Sequence, residues 1–275
     1  MSKGYLIFAQ GLEYIKQAYA CALSIKNTQT INNVSLVTHT PIPNYYREVF
    51  DEVIETPWLE ADTGTDRFST QHRWKLYHVS PYEETVVLDS DMFFCSDVSH
   101  WWNYLTNYDL YFTTNIKTYR GSLVSYSPYR EAFYENNLPN IYIAFHYFKK
   151  SDLAFKFYKI VELIGHNWEL FYGKYSPKKY PQEPSMDRTA AIAIKILGIE
   201  DQVTNIKKDF PRFVHMKSKV QGWSEETFSW QEKIPSFYDG DLFFGNYKQQ
   251  EVVHYTENDF LTDELIKKLE VSYAG

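Results

Sequence analysis

Cysteine is scarce in this sequence. Of the 275 residues only Cys21 and Cys95 are cysteines, and they lie too far apart to form a Cys-x-x-Cys pair. Zinc sites and thiol redox motifs that can be recognised from sequence need clustered cysteines. We therefore expect two ordinary buried thiols, and neither a disulfide nor a zinc site.

Long hydrophobic runs are also missing. The apolar runs at 5–9 and 85–88 fall far short of the roughly 18 residues that span a bilayer. The amino terminus has one lysine and no apolar stretch as long as a signal peptide requires. The sequence thus predicts no transmembrane helix, no export signal and a cytoplasmic location.

The sequence has no excess of basic residues. It contains 28 Lys and Arg against 35 Asp and Glu, so its net charge is −7 and its pI is about 5.6. Proteins whose main activity is binding nucleic acid usually carry a basic excess that contacts the phosphates. The charge balance argues against a general nucleic-acid-binding protein, without excluding a local basic groove.

Apolar and aromatic residues, by contrast, are abundant, at 44% and 18% of the chain. This composition excludes a disordered or collagen-like chain and predicts a globular protein with a sizeable core. The chain has no internal repeat, low-complexity tract or evident linker, so we expect a single domain. Aromatic faces also stack on sugars and bases, although most of these rings must fill the core.

Apolar runs alternate with helical periodicity along the first half of the chain. The predicted strands lie at 5–9, 34–38, 53–56 and 85–88. The predicted helices lie at 12–25 and 70–79. Strands that alternate with helices predict the α/β class, with a mostly parallel sheet flanked by helices on both faces.

The second half has a looser, α+β pattern. Its predicted strands lie at 110–114 and 141–148. Its predicted helices lie at 151–164, 186–196 and 262–270. We therefore expect one domain whose two halves differ in architecture.

Two carboxylates stand where the predicted strand at 85–88 ends. Asp89, Ser90 and Asp91 follow that strand directly. Ligands of parallel α/β sheets bind at the carboxyl ends of the strands, so both acids are expected to face a crevice. The chain can turn there, and the two carboxylates can reach one hard cation that holds a diphosphate. We interpret Asp89 and Asp91 as ligands of a divalent metal ion rather than acids of a solvated turn.

With this motif the chain resembles the GT-A fold glycosyltransferases, most of all glycosyltransferase family 8, the group of glycogenin and the lipopolysaccharide galactosyltransferases. The resemblance implies a Rossmann-like GT-A fold, a nucleotide diphosphate sugar as donor, in particular a UDP-sugar, and Mn²⁺ or Mg²⁺ as cofactor. It implies that residues 1–115, approximately, bind the nucleotide sugar. Residues 116–275 would form an acceptor-side half that ends in a helix. Within the motif, Asp91 would also be catalytic and Ser90 would contact the donor.

The amino-terminal strand and helix resemble the nucleotide-binding element of the family. The resemblance implies that Tyr14 stacks on uracil and that Phe8, Ala9 and Gln10 line the base pocket. The alternative for Tyr14 is a core residue on the inner face of the helix.

The segment from Gln71 to Leu76 resembles the basic helix of the family, whose cation neutralises the diphosphate. An ungapped count back from Asp89 favours Arg73 for this role, whereas the adjacent leucine favours Lys75. Both assignments stay open at this point, beside that of a solvated helix face.

Residues 184–188, which open a predicted helix, resemble another segment of the family. An aspartate of that segment contacts the transferred sugar, so the resemblance implies that Asp187 is a catalytic residue. The alternative is an acid that stabilises the amino terminus of the helix.

Residues 213–223 resemble the late His-x-x-Gly-x-x-Lys-Pro-Trp segment of the family. His215 and Trp223 keep the matching spacing. The Gly, Lys and Pro of the family are replaced by Ser218, Gln221 and Gly222. The resemblance implies that His215 is the third metal ligand and that Trp223 contacts the donor. The phosphate-binding lysine would be Lys217 or Lys219.

These motifs predict a metal-dependent glycosyltransferase that moves a sugar from a nucleotide diphosphate sugar to an acceptor hydroxyl. The family resemblance implies retention of configuration. An inverting enzyme would need a carboxylate base, for which Asp187, Asp109 or Glu183 could serve. A nucleotidyltransferase is disfavoured, because residues 8–14 contain one glycine instead of a Gly-rich loop.

The sequence specifies the acceptor less well. Seven tyrosines between 104 and 134 and the lysines of the loop at 173–181 could bind a saccharide, or a flipped nucleobase with its phosphates. Two acceptor classes follow, a saccharide and the hydroxymethylated DNA base on which bacteriophage-type transferases act. A non-catalytic carbohydrate- or nucleic-acid-binding protein is the remaining alternative, and it would have no use for the aspartate pair and His215 together.

Overall fold

The structure is a computed structural model that describes residues 2–56, 70–124, 126–204, 212–216, 235–238, 240–255 and 260–274. Its strands are β1 (Lys3–Phe8), β2 (Val34–Thr38), β3 (Glu52–Glu55), β4 (Glu84–Leu88), β5 (Met92–Phe94), β6 (Leu110–Thr113), β7 (Tyr142–Lys149), β8 (Val214–His215), β9 (Pro235–Tyr238), β10 (Asp241–Phe244), β11 (Tyr247–Lys248) and β12 (Val252–His254). Its α-helices are α1 (Leu12–Thr28), α2 (Asn44–Arg47), α3 (Leu76–Val79), α4 (Trp102–Leu105), α5 (Glu131–Glu135), α6 (Asp152–His166), α7 (Trp168–Tyr175), α8 (Met186–Leu197), α9 (Glu200–Val203) and α10 (Asp263–Ala274). Short 3-10 helices cover Thr70–Lys75, Ser99–Trp101 and Pro128–Arg130.

Six of these strands form a central sheet in the order β3-β2-β1-β4-β7-β6. The strands from β3 to β4 pair in parallel, and β7 pairs antiparallel with both β4 and β6. β7 is therefore the one strand of the six that runs against the others. This mixed α/β architecture with a mostly parallel sheet confirms the predicted fold class.

Side chains of the central strands alternate between two cores, as the pleat of a strand requires. Tyr5 and Ile7 of β1 belong to the core that α1 and α10 cover. Leu6 and Phe8 belong to the opposite core, which α6 and α8 cover. Burial on both faces explains the uninterrupted apolar runs that predicted the central strands.

The segment before β4 differs from the prediction. Instead of one α-helix over 70–79, the chain forms a 3-10 helix over Thr70–Lys75 and then the short helix α3. Successive side chains of a 3-10 helix point about 120° apart, rather than about 100° apart as in an α-helix. Arg73 and Lys75 therefore project in directions that differ from those of an α-helix.

A smaller sheet in the order β5-β12-β8 is entered from β4 through the turn that contains the two aspartates. β12 pairs antiparallel with β5 and parallel with β8. The sequence pattern predicts neither β5 nor β12, each of which has only three residues. Helix α1 packs against β5 and α10 packs against α1, so the carboxy-terminal helix supports this part of the fold.

Other predicted elements are present with small shifts at their ends. The last helix, for example, continues to Ala274 rather than ending at 270. Cys21 is buried and Cys95 is half-buried, and both are free thiols. In the described part of the chain, no helix is long and apolar enough to cross a membrane.

Candidate functional site

A cavity of about 370 Å³ lies at the edge of the central sheet where β1 and β4 end. Because these strands pair in parallel, their carboxyl ends meet at this edge. The cavity is lined by residues that the sequence analysis singled out: Phe8, Ala9, Gln10, Tyr14, Arg73, Asp89, Ser90, Asp91 and Asp187. The structure thus brings predicted residues from both halves of the chain to one place.

The end of β1 and the start of α1 form one wall of the cavity. Gly11 between them has a φ of 87°, which residues with a Cβ rarely adopt, so glycine permits this turn. Thr40 Oγ1 accepts a hydrogen bond of 2.8 Å from Gly11 N. Tyr14 lies in the first turn of α1 and is 48% exposed. Its ring therefore faces the cavity rather than the core.

Arg73 is the basic residue of the 3-10 segment that reaches the aspartates. Its guanidinium donates a hydrogen bond of 2.9 Å to Asp89 Oδ1. The ammonium of Lys75 instead lies over the ring of Trp74, 5.6 Å from the ring centroid. The geometry favours Arg73 over Lys75 as the cation beside the aspartate motif.

Asp89, Asp91 and His254 form a group of candidate metal ligands. Each residue offers one ligand atom, and these atoms lie within 4.8 Å of one another. His254 Nε2 donates to Asp91 Oδ1 over 3.0 Å and lies 4.0 Å from Asp89 Oδ2. Two carboxylates and one imidazole suit a hard or borderline divalent ion such as Mn²⁺. The chemistry of this donor set fits the predicted class of cofactor.

The ionisation of Asp91 depends on His254. Burial by itself would raise the pKa of Asp91, but the attraction of the imidazole and its hydrogen bond outweigh burial and lower this pKa below its ordinary value. The carboxylate is therefore ionised at neutral pH. That is the form in which a carboxylate binds a metal ion.

Strand pairing places His254 beside the aspartates. It lies opposite Met92, the first residue of β5, which directly follows Asp91. His215 lies opposite His254 on β8, one strand farther from β5. The two imidazole rings stack with a centroid distance of 4.6 Å.

Among the described residues, the histidine grouped with the two aspartates is thus His254, and His215 packs against its ring. The family resemblance implies His215 as the third ligand because of its spacing to Trp223, whereas the structure groups His254 with the aspartates. The local signal is the same for both, since each histidine follows two apolar residues, 213–214 and 252–253. Only the pairing of β12 with β5 distinguishes them.

Ser90 ties the aspartate turn to α1. Its Oγ donates a hydrogen bond of 3.0 Å to Oε1 of the buried Gln17. Asp89 N donates to the carbonyl oxygen of Ala144 on β7 over 3.0 Å. The turn is therefore held from two sides, which fixes the positions of both carboxylates. A glutamine on the buried face of α1 is a sequence signal for some buried polar partner, although it does not specify Ser90.

Asp187 lies in the first turn of α8, where the side chain of Ser185 caps the helix. Asp187 Oδ1 accepts a hydrogen bond of 2.8 Å from Ile143 N, and Oδ2 accepts one of 2.5 Å from the guanidinium of Arg130. Asp187 is therefore tied to β7 and lines the cavity, which goes beyond the role of a helix-terminal acid. The sequence analysis did not identify Arg130.

Three predicted donor-binding residues, Lys217, Lys219 and Trp223, lie outside the described residues. Their roles stay predictions. Among the residues that the structure describes, Arg73 is the cation that lines the cavity.

Comparisons with known proteins identify the fold. No protein-family model and no curated protein matches the sequence. Two crystal structures of the glycosyltransferase GlyE from Streptococcus pneumoniae TIGR4, one of them the apo form, share the fold with TM-scores of 0.53 and 0.52 and sequence identities of 13% and 14%. These matches cover 100% of this chain but 61% of the GlyE chain. The apo form of mouse xyloside xylosyltransferase 1 has a TM-score of 0.51 and 10% identity, over 93% of this chain and 98% of that chain. The protein therefore has a fold found in glycosyltransferases.

Proposed function

We propose that the protein is a metal-dependent glycosyltransferase of the GT-A type, similar to family 8, whose donor is a nucleotide diphosphate sugar and in particular a UDP-sugar. The observation that carries this proposal is the group Asp89, Asp91 and His254 at the end of β4, with Arg73 beside it. The fold that the chain shares with glycosyltransferases supports the proposal.

In this proposal the donor lies along the cavity. Tyr14 stacks on the uracil, and the end of β1 at Phe8, Ala9 and Gln10 surrounds the base. The diphosphate lies against the guanidinium of Arg73. A divalent ion held by the aspartate pair would supply the further positive charge that the two phosphates require. Lys217 or Lys219 and Trp223 complete the donor site.

When bound by Asp89, Asp91 and His254, Mn²⁺ or Mg²⁺ would supply the positive charge that stabilises a diphosphate leaving group. Arg73 shares that task by donating hydrogen bonds to phosphate oxygens. The bond from the anomeric carbon to the diphosphate oxygen breaks, and the acceptor oxygen forms a new bond to the same carbon. The acceptor hydroxyl gives its proton to the departing diphosphate oxygen, so UDP leaves with the bonding electron pair and that proton.

Retention of configuration is part of the proposal. Of the three carboxylates considered as bases, Asp187 lines the cavity, whereas Asp109 and Glu183 do not, and Asp109 pairs with Lys149 at 3.4 Å. Both oxygens of Asp187 already accept hydrogen bonds, from Ile143 N and Arg130. These two bonds hold the carboxylate in one orientation at the cavity wall, so a contact to the transferred sugar suits Asp187 better than proton removal.

For the acceptor we propose a saccharide. Tyr126 and Tyr134 are exposed and stack with a centroid distance of 5.6 Å. The Tyr134 hydroxyl accepts a hydrogen bond from Asn140 Nδ2. Asn140 Oδ1 in turn accepts one from Arg130, the arginine that pairs with Asp187. Three hydrogen bonds thus link this aromatic pair to Asp187, and its exposed rings offer a face on which a sugar ring can stack. Hydroxymethylated DNA is the second acceptor class to be tested.

A panel of nucleotide sugars in a thermal-shift assay, with and without Mn²⁺, tests the proposal. A ligand that binds only the folded state raises the melting temperature. We expect one UDP-sugar to raise it only when Mn²⁺ is present. Asp91→Asn should remove this shift, and Asp201→Asn, which changes an exposed acid on α9, should keep it.

Two outcomes would contradict the proposal. A folded wild-type protein that shows no shift with any nucleotide sugar would favour a non-catalytic binding protein. A shift that persists in Asp91→Asn would reject the metal site. If donor binding is found, transfer to saccharides and to hydroxymethylated DNA decides between the acceptor classes.

A further inference from the structure

Arg130 is a buried arginine directly behind the cavity wall. It ends the 3-10 helix Pro128–Arg130 and is only 1% exposed. Its Nε donates to Asn140 Oδ1 over 2.8 Å, and its two terminal nitrogens donate to Asp187 Oδ2 and to the carbonyl oxygen of Ile141. All three nitrogens of the guanidinium therefore have fixed acceptors.

Aromatic rings surround the same guanidinium. Its central carbon lies 3.7 Å from the ring centroid of Phe133, 4.3 Å from that of Tyr142 and 5.6 Å from that of Tyr129. Aromatic faces attract a cation, most strongly where water is excluded. A charge buried in this way is tolerated only when it is paired, and Asp187 is the carboxylate that pairs with it.

The ion pair also fixes the orientation of Asp187. One carboxylate oxygen is held by Ile143 N of β7 and the other by Arg130, so the carboxylate cannot rotate without breaking a hydrogen bond. An ionised carboxylate has about four acceptor positions, so about two stay available after these bonds. Asp187 keeps 29% of its side chain exposed at the cavity.

We infer that Arg130 is a positioning residue: it fixes Asp187 as a hydrogen-bond acceptor for the hydroxyl groups of the transferred sugar. The inference rests on the proposed function, because it assigns the sugar end of the donor to this part of the cavity. Arg130 acts through Asp187 and does not touch the donor. Its effect is therefore confined to the sugar, whereas the nucleotide and the diphosphate bind elsewhere along the cavity.

Binding measurements with two ligands test this inference. Dissociation constants for UDP and for the UDP-sugar found in the panel are measured with Mn²⁺ for the wild type, Arg130→Met, Asp187→Asn and the double variant. The ratio of the two constants reports the sugar contacts alone. A hydrogen bond to a charged group corresponds to about tenfold or more in affinity, so Arg130→Met should shift the ratio by about tenfold against the sugar. The affinity for UDP itself should change by no more than about twofold.

The double variant separates positioning from general support. If Arg130 acts through Asp187, adding Arg130→Met to Asp187→Asn should change the ratio no further. Arg130→Lys keeps the charge but loses the planar fork, so it should recover part of the ratio. If Arg130→Met does not fold, Arg130→Lys alone and combined with Asp187→Asn provides the same comparison. Arg188→Met is the matched control. Arg188 directly follows Asp187 on α8, but its guanidinium donates to Lys179 O instead of to Asp187.

An unchanged ratio in a folded Arg130→Met protein would overturn the inference while the proposed function stands. So would an equal loss of UDP and UDP-sugar binding, which indicates a purely structural arginine. A wild-type protein that binds neither ligand would overturn the proposed function itself, and the inference with it. That result appears before any substitution is made, so the two failures are distinguishable.

Discussion

Replacing His254 by alanine should remove most of the affinity for the metal ion. His254 Nε2 lies 3.0 Å from Asp91 Oδ1 and 4.0 Å from Asp89 Oδ2, so the variant loses one of three grouped ligand atoms. Outer partners of metal ligands already contribute about 10- to 100-fold to affinity, so loss of a ligand should cost at least about 100-fold. At 1.4 kcal/mol per tenfold, this is at least about 3 kcal/mol.

The same substitution should also destabilise the metal-free protein. It takes away the partner whose charge and hydrogen bond hold the pKa of Asp91 below its ordinary value. Loss of a charged hydrogen bond costs about 1.5–3 kcal/mol when the group is fully buried. Since 21% of the Asp91 side chain is exposed and water replaces part of the contact, we expect about 1 kcal/mol.

Calorimetric titration with Mn²⁺ in the presence of UDP measures the first effect, and urea unfolding measures the second. His215→Ala is the matched control, because the His215 ring stacks on His254 and lies outside the ligand group. It should lower metal affinity by about tenfold, the low end of the range for a residue that supports a ligand, and so by less than His254→Ala. The reasoning is refuted if His215→Ala loses the metal ion and His254→Ala keeps it.

Three further predictions concern single positions. Arg73→Leu should weaken UDP binding by about 10- to 100-fold, because a charge-assisted contact to the diphosphate is lost. Lys75→Leu should weaken it less, and calorimetry with UDP and Mn²⁺ compares the two variants. Burial lowers the pKa of His146 from 6.5 to about 4, so as pH falls the unfolded chain takes up a proton before the folded chain does. The free energy of unfolding should therefore decline between about pH 6.5 and pH 4, by up to about 3 kcal/mol. Urea unfolding across this range should show the decline, and His146→Gln should reduce it; an unchanged slope would contradict the buried neutral imidazole. Gly4→Ala should destabilise by about 1–3 kcal/mol, measured by urea unfolding, because its Cβ would lie 2.4 Å from the Tyr82 ring; wild-type stability would show that the ring moves aside.

The central strands and the aspartate motif could be predicted from the sequence because local patterns specify them. An uninterrupted apolar run requires burial on both faces, and acids directly after it must leave the core. Asp89 and Asp91 were therefore placed correctly at the end of a strand and at the edge of a sheet. The short strands β5 and β12 have too few residues to show such a pattern.

Choices between similar residues depended on three-dimensional pairing. His215 and His254 have the same local context, and only the place of β12 beside β5 selects His254. Arg73 and Lys75 differ by two positions, and only the three-dimensional structure shows that Arg73 reaches Asp89 while Lys75 lies over Trp74. Arg130 has no sequence signal, because it pairs with Asp187, a carboxylate far along the chain. Its packing against Phe133 is local and does not by itself indicate a buried charge.

The most direct test of a metal-dependent transferase is the release of UDP from a UDP-sugar, measured with Mn²⁺ and again after chelation of the metal ion. We predict release that requires Mn²⁺, increases when an acceptor saccharide is added and falls at least about 100-fold in Asp91→Asn. Equal release after chelation would contradict the metal site. No release from any nucleotide sugar by the folded wild-type protein, with every acceptor class tested, would contradict the transferase itself.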